Sequence, residues 1–359
     1  MTIDPRPTSH LATHRSIAFC GYSGSGKTTL LVDLIGELVR RGLRVAAIKH
    51  DAHGLQIDTP GKDSDRLFRA GANVHLRGPG EGLIRHHRDG DDDLASAVDR
   101  MRADHDIVLI EGHKATPWPK VWLLSPGETE PPPDVTHVEL VLARDERRLA
   151  TVLPWITRRL TQEWLDTPVR MGVLIGGASR RMGTPKHLLE SGGATLLERM
   201  VASANERDLS PVLLGAGEIP SSLAGATRLP DPPGFAGPLA GLVSAIRWDP
   251  DSAWIIAAVD MPRVDVTCLD WLLTQRAPGR IGIVPIIDGE PQSTFSLWEP
   301  IARAHVFDGI QDGRSSIRRL ADAPRVYRPE VPTHLRPRFA NINTPGEWER
   351  ILAEDRAHE

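Results

Sequence analysis

The sequence predicts an α/β chain of two domains, each built on a mainly parallel sheet. Three observations predict it. Short apolar runs alternate with segments whose apolar residues recur at helical spacing, the rhythm of strand–helix–strand units. The runs are apolar almost throughout, as strands covered on both faces are. A strand leading into a glycine-rich turn opens twice, near Ser16 and again near Val169, and 359 residues suit two ordinary domains.

Ser16–Cys20 reads as a buried strand. Lys27–Arg41 follows with apolar residues at 30, 31, 34, 35, 38 and 39, a helix that Gly42 stops. Leu43–Lys49 and Asp106–Glu111 are further strands. "HDAHGLQIDTPGKDSDR" between them is polar and loop-like, and "AGANVHLRGPGEGLIRHH" reads as short strands around turns. Residues 124–134 form a surface loop and 135–142 another strand. Glu146–Trp164 is helical, with Pro154 as a break or kink. The rhythm then restarts: strands at 169–176, 211–215, 253–260 and 280–287, and helices over Thr195–Ala204, Pro238–Arg247 and Val266–Gln275. These readings divide the chain into a disordered tail (1–14), a first domain (15–159), a linker (160–169) and a second domain (170–359).

Composition excludes several classes. A net charge of -4 without a basic run gives nucleic acid no electrostatic footing. Two cysteines, Cys20 and Cys268, are too few for a disulfide framework or a metal cage. No apolar run approaches a membrane span, and the polar, proline-containing first residues are no signal peptide. The expectation is a soluble cytoplasmic protein. His50, His53, His86 and His87 lack the partners a metal site needs and read as polar loop residues. Arg314, Arg318 and Arg319 lie on an expected helix, either solvated or facing an anionic ligand.

Gly21-Tyr-Ser-Gly-Ser-Gly26-Lys27-Thr28 fits G-x-x-x-x-G-K-[ST] between a strand and a helix. Glycines let backbone N–H groups of Gly21, Gly24, Ser25 and Gly26 turn toward phosphate oxygens. Lys27 reaches the β/γ-phosphates, the Thr28 hydroxyl can bind Mg²⁺, and Thr29 continues the helix start. A metal-facing carboxylate should close a neighbouring strand: Glu111, with Asp51 and Asp63 as alternatives. "GYSGSGKTTLL", "VAAIKHDAHG", "DTPGKDSDR", "AGA" and "VLIEGHK" occur in that order. Over about 15–125 the chain thus resembles the molybdopterin-guanine dinucleotide biosynthesis adaptor family, MobB. That resemblance implies a P-loop NTPase-like domain that binds GTP and hydrolyses it weakly. His113 stands where the family has an aromatic residue.

"LIGGASRRMGTPKHLL" (174–189) is a different device. Gly176 and Gly177 allow close approach of a nucleotide, and Arg181 and Lys186 can bring charge to a triphosphate. Asp260 ends a buried strand at the carboxyl edge, where the crevice of an open α/β sheet lies, and is the candidate Mg²⁺ ligand. Asp231 stands in another glycine-proline loop. "LIGGASRRMGTPK", "GPLAG" (237–241), "VDMP" (259–262) and "NINTP" (341–345) are similar to the molybdenum cofactor guanylyltransferase family, MobA, over about 170–355. The resemblance implies a Rossmann-like nucleotidyltransferase domain. Leu174, Ile175 and Gly176 would form its nucleotide loop, Lys186 the triphosphate ligand, Asp231 a guanine-nucleotide contact and Asp260 the Mg²⁺ ligand. "LIGG" is nearer the guanine type than the L-A-A-G of the related cytidylyltransferases.

Together the two resemblances imply a fusion that transfers GMP from Mg-GTP to Mo-molybdopterin, with Lys186, Asp260 and Arg181 as the catalytic set. Apo-molybdoenzymes and cofactor-delivery chaperones are the further partners implied. The alternatives are a transferase using CTP or a sugar phosphate, or a first half that serves only as a cofactor-delivery module.

Overall fold

The computed structural model describes residues 15–49, 58–87, 93–144, 147–176, 183–314 and 316–356. The chain divides into two compact units, with the main division between Leu153 and Pro154.

In the first unit β1 (Ser16–Cys20), α1 (Lys27–Arg40) and β2 (Val45–Lys49) follow in order. α1 buries Leu30, Leu31, Leu34 and Leu38, one stripe of an amphipathic helix. α2 (Asp63–Arg69), the hairpin strands β3 (Val74–Arg77) and β4 (Gly82–Arg85), and α3 (Leu94–Arg102) come next. β5 (Ile107–Glu111), β6 (Lys120–Leu123) and β7 (Val138–Leu142) complete the sheet. Its order is β2-β5-β1-β6-β7, and every pairing is parallel. Ile17, Phe19, Leu109, Ile110 and Trp122 are fully buried, so the central strands read as continuous apolar runs. β1 lies between strands reached in opposite directions, which makes its carboxyl end the crevice of the sheet.

α4 (Arg148–Asp166) runs without interruption through Pro154, so the expected break is absent, and residues 160–166 of the expected linker are its last turns. β8 (Val169–Ile175) opens the second unit's sheet. A two-stranded ribbon of β9 (Glu190–Ser191) and β10 (Ala194–Thr195) leads into α5 (Leu196–Glu206). α5 begins with a capping box: Thr195 N donates to Glu198 Oε2 (2.7 Å) and Glu198 N to Thr195 Oγ1 (3.2 Å). β11 (Val212–Gly215), β12 (Arg228–Leu229), α6 (Gly237–Trp248), β13 (Ala253–Ala258) and α7 (Val266–Thr274) follow. The remainder is β14 (Gly282–Ile283), β15 (Ile286–Ile287), β16 (Glu290–Pro291), β17 (Phe295–Trp298), α8 (Ala302–Gln311), α9 (Ile317–Leu320), β18 (Val326–Tyr327) and α10 (Pro345–Arg356).

The large sheet has the order β12-β11-β8-β13-β17-β14-β18. Only β17 runs against its neighbours. β8 sends its chain to β11 and β12 on one side and later to β13 on the other, so the crevice falls at the carboxyl ends of β8 and β13. Both faces are covered, one by α5, α7 and α10, the other by α6 and α8.

Three local expectations are corrected. The polar "DTPGKDSDR" contains α2, because Asp58 and Asp65 organise it: Asp65 accepts from Gly61 N (2.9 Å), Arg69 Nε (2.8 Å) and Arg85 Nη1 (3.1 Å). The single strand expected at 280–287 is two, β14 and β15, because Pro285 interrupts it. Arg314 lies outside α9, in the turn after α8, while Arg318 pairs with Glu290 (2.8 Å). His50, His53, Asp51, Gly177 and Arg181 lie outside the described residues.

Candidate functional site

The first unit's glycine loop joins β1 to α1. Gly26 is the N-cap of α1 and no side chain caps it, so first-turn N–H groups point out of the helix start. Lys27 folds back on the loop, donating to Gly21 O (3.1 Å) and Tyr22 O (2.8 Å). Burial pushes its ammonium below the usual lysine range, an effect Glu111 opposes. Thr28 Oγ1 donates to Glu111 Oε1 (2.8 Å), and Lys49 Nζ stands 3.7 Å from the same oxygen. Glu111 reaches this point because β5 lies beside β1, with Glu111 paired to Phe19 in register. A hydroxyl and a carboxylate meeting at a P-loop are the oxygen donors a hard cation takes, alongside phosphate.

Arg148, at the start of α4, braces the loop. Its Nη1 donates to Ser25 O, its Nη2 to Leu124 O (2.7 Å) and its Nε to Ala143 O (2.7 Å). The loop is thereby tied to the ends of β6 and β7. Beside it lies a cavity of about 750 Å³ lined by Gly24, Gly26, Thr29, Asp33, Arg144 and Arg147 among others.

The second unit's site lies at the carboxyl ends of β8 and β13. A cavity of about 430 Å³ is lined by Leu174, Ile175, Gly176, Lys186, Asp231, Asp260 and the start of α6. Gly176 has φ +100, and a Cβ there would stand 2.5 Å from Ala216 O, so only glycine fits this turn. Lys186 Nζ donates to Asn343 Oδ1 (3.0 Å) and lies 3.9 Å from Asp260 Oδ2. Asp260 Oδ1 is buried and has no hydrogen-bond partner among the described residues. Burial raises the Asp260 carboxyl above its usual range, and Lys186 pulls it partly back. A buried carboxylate oxygen with nothing to accept from is costly unless a cation takes it, so the site fits Mg²⁺. Among the described residues no three His, Cys, Asp or Glu side chains cluster as a metal cage.

Residues 16–144 match the family described as molybdopterin guanine dinucleotide synthesis protein B, MobB, and residues 171–326 match the MobA-like NTP transferase domain. The first half is 41% identical over 131 residues to the molybdopterin-guanine dinucleotide biosynthesis adapter protein of Haemophilus influenzae, covering 35% of this chain and 72% of the relative. The second is 32% identical over 195 residues to the molybdenum cofactor guanylyltransferase of Rhizobium meliloti, covering 50% and 89%. It is 32% identical over 194 residues to that of Xanthomonas euvesicatoria, covering 53% and 98%. The chain belongs to both families, MobB first and MobA-like second.

In the MobB unit the structure brings together Gly21, Gly24, Ser25, Gly26, Lys27, Thr28 and Glu111, with Thr29 on the neighbouring cavity. Asp63 opens α2 with its side chain fully exposed. Cys20 is buried and bonds Gly112 O (3.1 Å), a packing role. In the MobA-like unit Leu174, Ile175, Gly176, Lys186, Asp231 and Asp260 share one cavity. Two contributors were missed. Arg148 acts through backbone carbonyls, for which a sequence carries no signature. Asn343 stands in "NINTP", whose Ile342 N donates to Asp260 O (2.8 Å) and so docks the segment against the carboxylate. Glu347 fixes that segment by accepting from Asn343 N (2.6 Å) and Thr344 N (3.0 Å).

Proposed function

We propose that the MobA-like unit transfers GMP from Mg-GTP to Mo-molybdopterin, giving Mo-molybdopterin guanine dinucleotide and pyrophosphate. The observation that carries this reading is the Lys186–Asp260 pair over the cavity, with Asp260 Oδ1 left without a partner among the described residues. The terminal phosphate oxygen of molybdopterin attacks the α-phosphorus of GTP. A new P–O bond forms there, the bond to the β-phosphate bridge oxygen breaks, and pyrophosphate carries the electron pair away. Lys186, with Arg181, offsets the charge that grows on the leaving group. Asp260 would hold Mg²⁺, which when bound neutralises triphosphate charge. Asn343 holds Lys186 in place, the turn at Gly176 brings the backbone close to the nucleotide, and Asp231 contacts the nucleoside. Positioning and electrostatics suffice, with no covalent intermediate.

The MobB unit binds GTP at Gly21–Thr29, with Thr28 and Glu111 as the oxygens that would hold its Mg²⁺. It acts as an adaptor toward apo-molybdoenzymes and cofactor-delivery chaperones in the cytoplasm. Residues 15–159 and 170–359 serve as separable domains on this reading. No helix among the described residues is long and apolar enough to cross a membrane.

Turnover with Mo-molybdopterin and either GTP or CTP, followed by pyrophosphate release, tests the proposal. GTP should support turnover and CTP should not. Equal turnover, or preference for CTP, rejects guanylyl transfer.

A further inference from the structure

Lys114 lies three residues beyond Glu111, the carboxylate that accepts from Thr28 in the P-loop. The two residues between are both left-handed, Gly112 at φ +92 and His113 at φ +61. A histidine held there is strained, and strained backbone persists where its surroundings fix it. They do so here. Gly112 N donates to Phe19 O (2.9 Å), Cys20 Sγ to Gly112 O (3.1 Å) and Thr116 Oγ1 to His113 O (2.8 Å). The chain is thus pinned to the end of β1, where the P-loop begins.

The turn delivers the Lys114 ammonium to an aromatic pair. Its Nζ stands 4.2 Å from the ring centre of Tyr22 and 5.0 Å from that of Trp122. The rings meet edge to face at 5.9 Å. Tyr22 is the second residue of the P-loop and is half exposed. Among the described residues no carboxylate pairs with Lys114; only π faces hold it. Lys27 feels it as a like charge, together with Lys49. Among the described residues the ammonium groups of Lys27, Lys49 and Lys114 therefore bring positive charge to this loop, where Glu111 pairs with Lys49. That charge suits a polyanion.

We propose that Lys114 is a second phosphate ligand of the P-loop site, engaging the terminal phosphate of a nucleoside triphosphate and setting its preference over the diphosphate. The proposal rests on the reading that the MobB unit binds nucleotide at Gly21–Thr29. A cation over an aromatic face is held more weakly than one in a charge-assisted bond to phosphate. A terminal phosphate at the loop mouth draws the ammonium off the rings. A diphosphate, seated deeper against Lys27, leaves it there.

Calorimetry on the full chain with Mg²⁺ tests this, using GDP and a non-hydrolysable β,γ-imido GTP. Lys27→Ala first identifies the P-loop binding event as the one it removes. If Lys27→Ala removes no event, the P-loop reading fails and takes this proposal with it. On the identified event, Lys114→Met should weaken the triphosphate about tenfold, a change of about 1.4 kcal/mol, while GDP affinity stays within about twofold. Lys114→Arg should restore the preference. An equal loss for both nucleotides marks Lys114 as a structural prop, and no loss for either removes it from the site. Each of these results overturns the proposal.

Discussion

At Gly21–Thr28 the cation meant for phosphate belongs to the loop itself. Lys27 is satisfied by carbonyls five and six residues away. At Gly176 the cation stands ten residues on, and two of its partners come from elsewhere: Asp260 after β13, and Asn343, 157 positions along the chain. The cation of the first site is thus held by a local conformation, while Glu111 from β5 faces Thr28 and Arg148 from α4 braces the loop. The second is an assembly, correct only when β8, β13 and the segment before α10 are all packed. A local site tolerates damage to distant packing better than an assembled one does.

The largest expected effect exploits that difference. Arg276 and Glu299 are almost fully buried in the MobA-like unit and form a two-bonded pair (2.7 and 2.9 Å), with Arg276 also bonding Trp164 O (2.8 Å). Glu299→Ala leaves the guanidinium buried without its counter-charge, at a cost of about 3–5 kcal/mol. Urea denaturation should show the transferase lost at lower denaturant, while nucleotide binding that depends on Lys27 persists. Loss of both in one transition would mean a single cooperative body and would end the proposal of separable domains.

Next is Asp260→Asn. Turnover should fall roughly 10²–10³-fold, the scale for removing one group that stabilises developing charge. Stability should not fall with it. Burial raises the Asp260 carboxyl, so the folded chain keeps that proton to higher pH than the unfolded chain. Stability from this group therefore falls as pH rises from the unfolded value through the raised folded one. The asparagine variant lacks that loss and should melt no lower than the parent at neutral pH. At limiting Mg²⁺, turnover of the parent should rise across the same window, as the carboxylate needed for Mg²⁺ forms. A variant with parental pyrophosphate release would remove Asp260 from the mechanism.

The same contrast explains what was legible in the sequence. The strand before the P-loop is apolar after Ser16, the one after it is apolar up to Lys49, and the motif is contiguous, so strand, turn and Lys27 could all be read. Asp260 was legible because it ends such a run. β6 was not, since it starts with Lys120, follows Pro117 and Pro119, and is only four residues long. Lys120 is buried there because its ammonium reaches Thr116 O and Trp118 O. β17 reads apolar at Phe295, Leu297 and Trp298, yet its antiparallel direction depends on its neighbours. Arg148 and Asn343 matter through contacts that no periodicity encodes.

The smallest effect compares the glycines themselves. Gly176 is needed twice over, for its φ of +100 and for the 2.5 Å approach to Ala216 O. Gly24, at φ +75, has nothing within 4 Å of where a Cβ would be. Gly24→Ala should therefore carry only the left-handed penalty, about 1–2 kcal/mol. Gly176→Ala adds a backbone collision that β8 and β11 cannot relieve without shifting, so its urea midpoint should drop further and its KM for GTP should rise. Equal midpoints for the two variants would mean that Ala216 yields easily and that backbone conformation alone selects glycine in both loops. A larger drop for Gly24→Ala would reverse the contrast, placing the tighter packing constraint on the local loop rather than the assembled one.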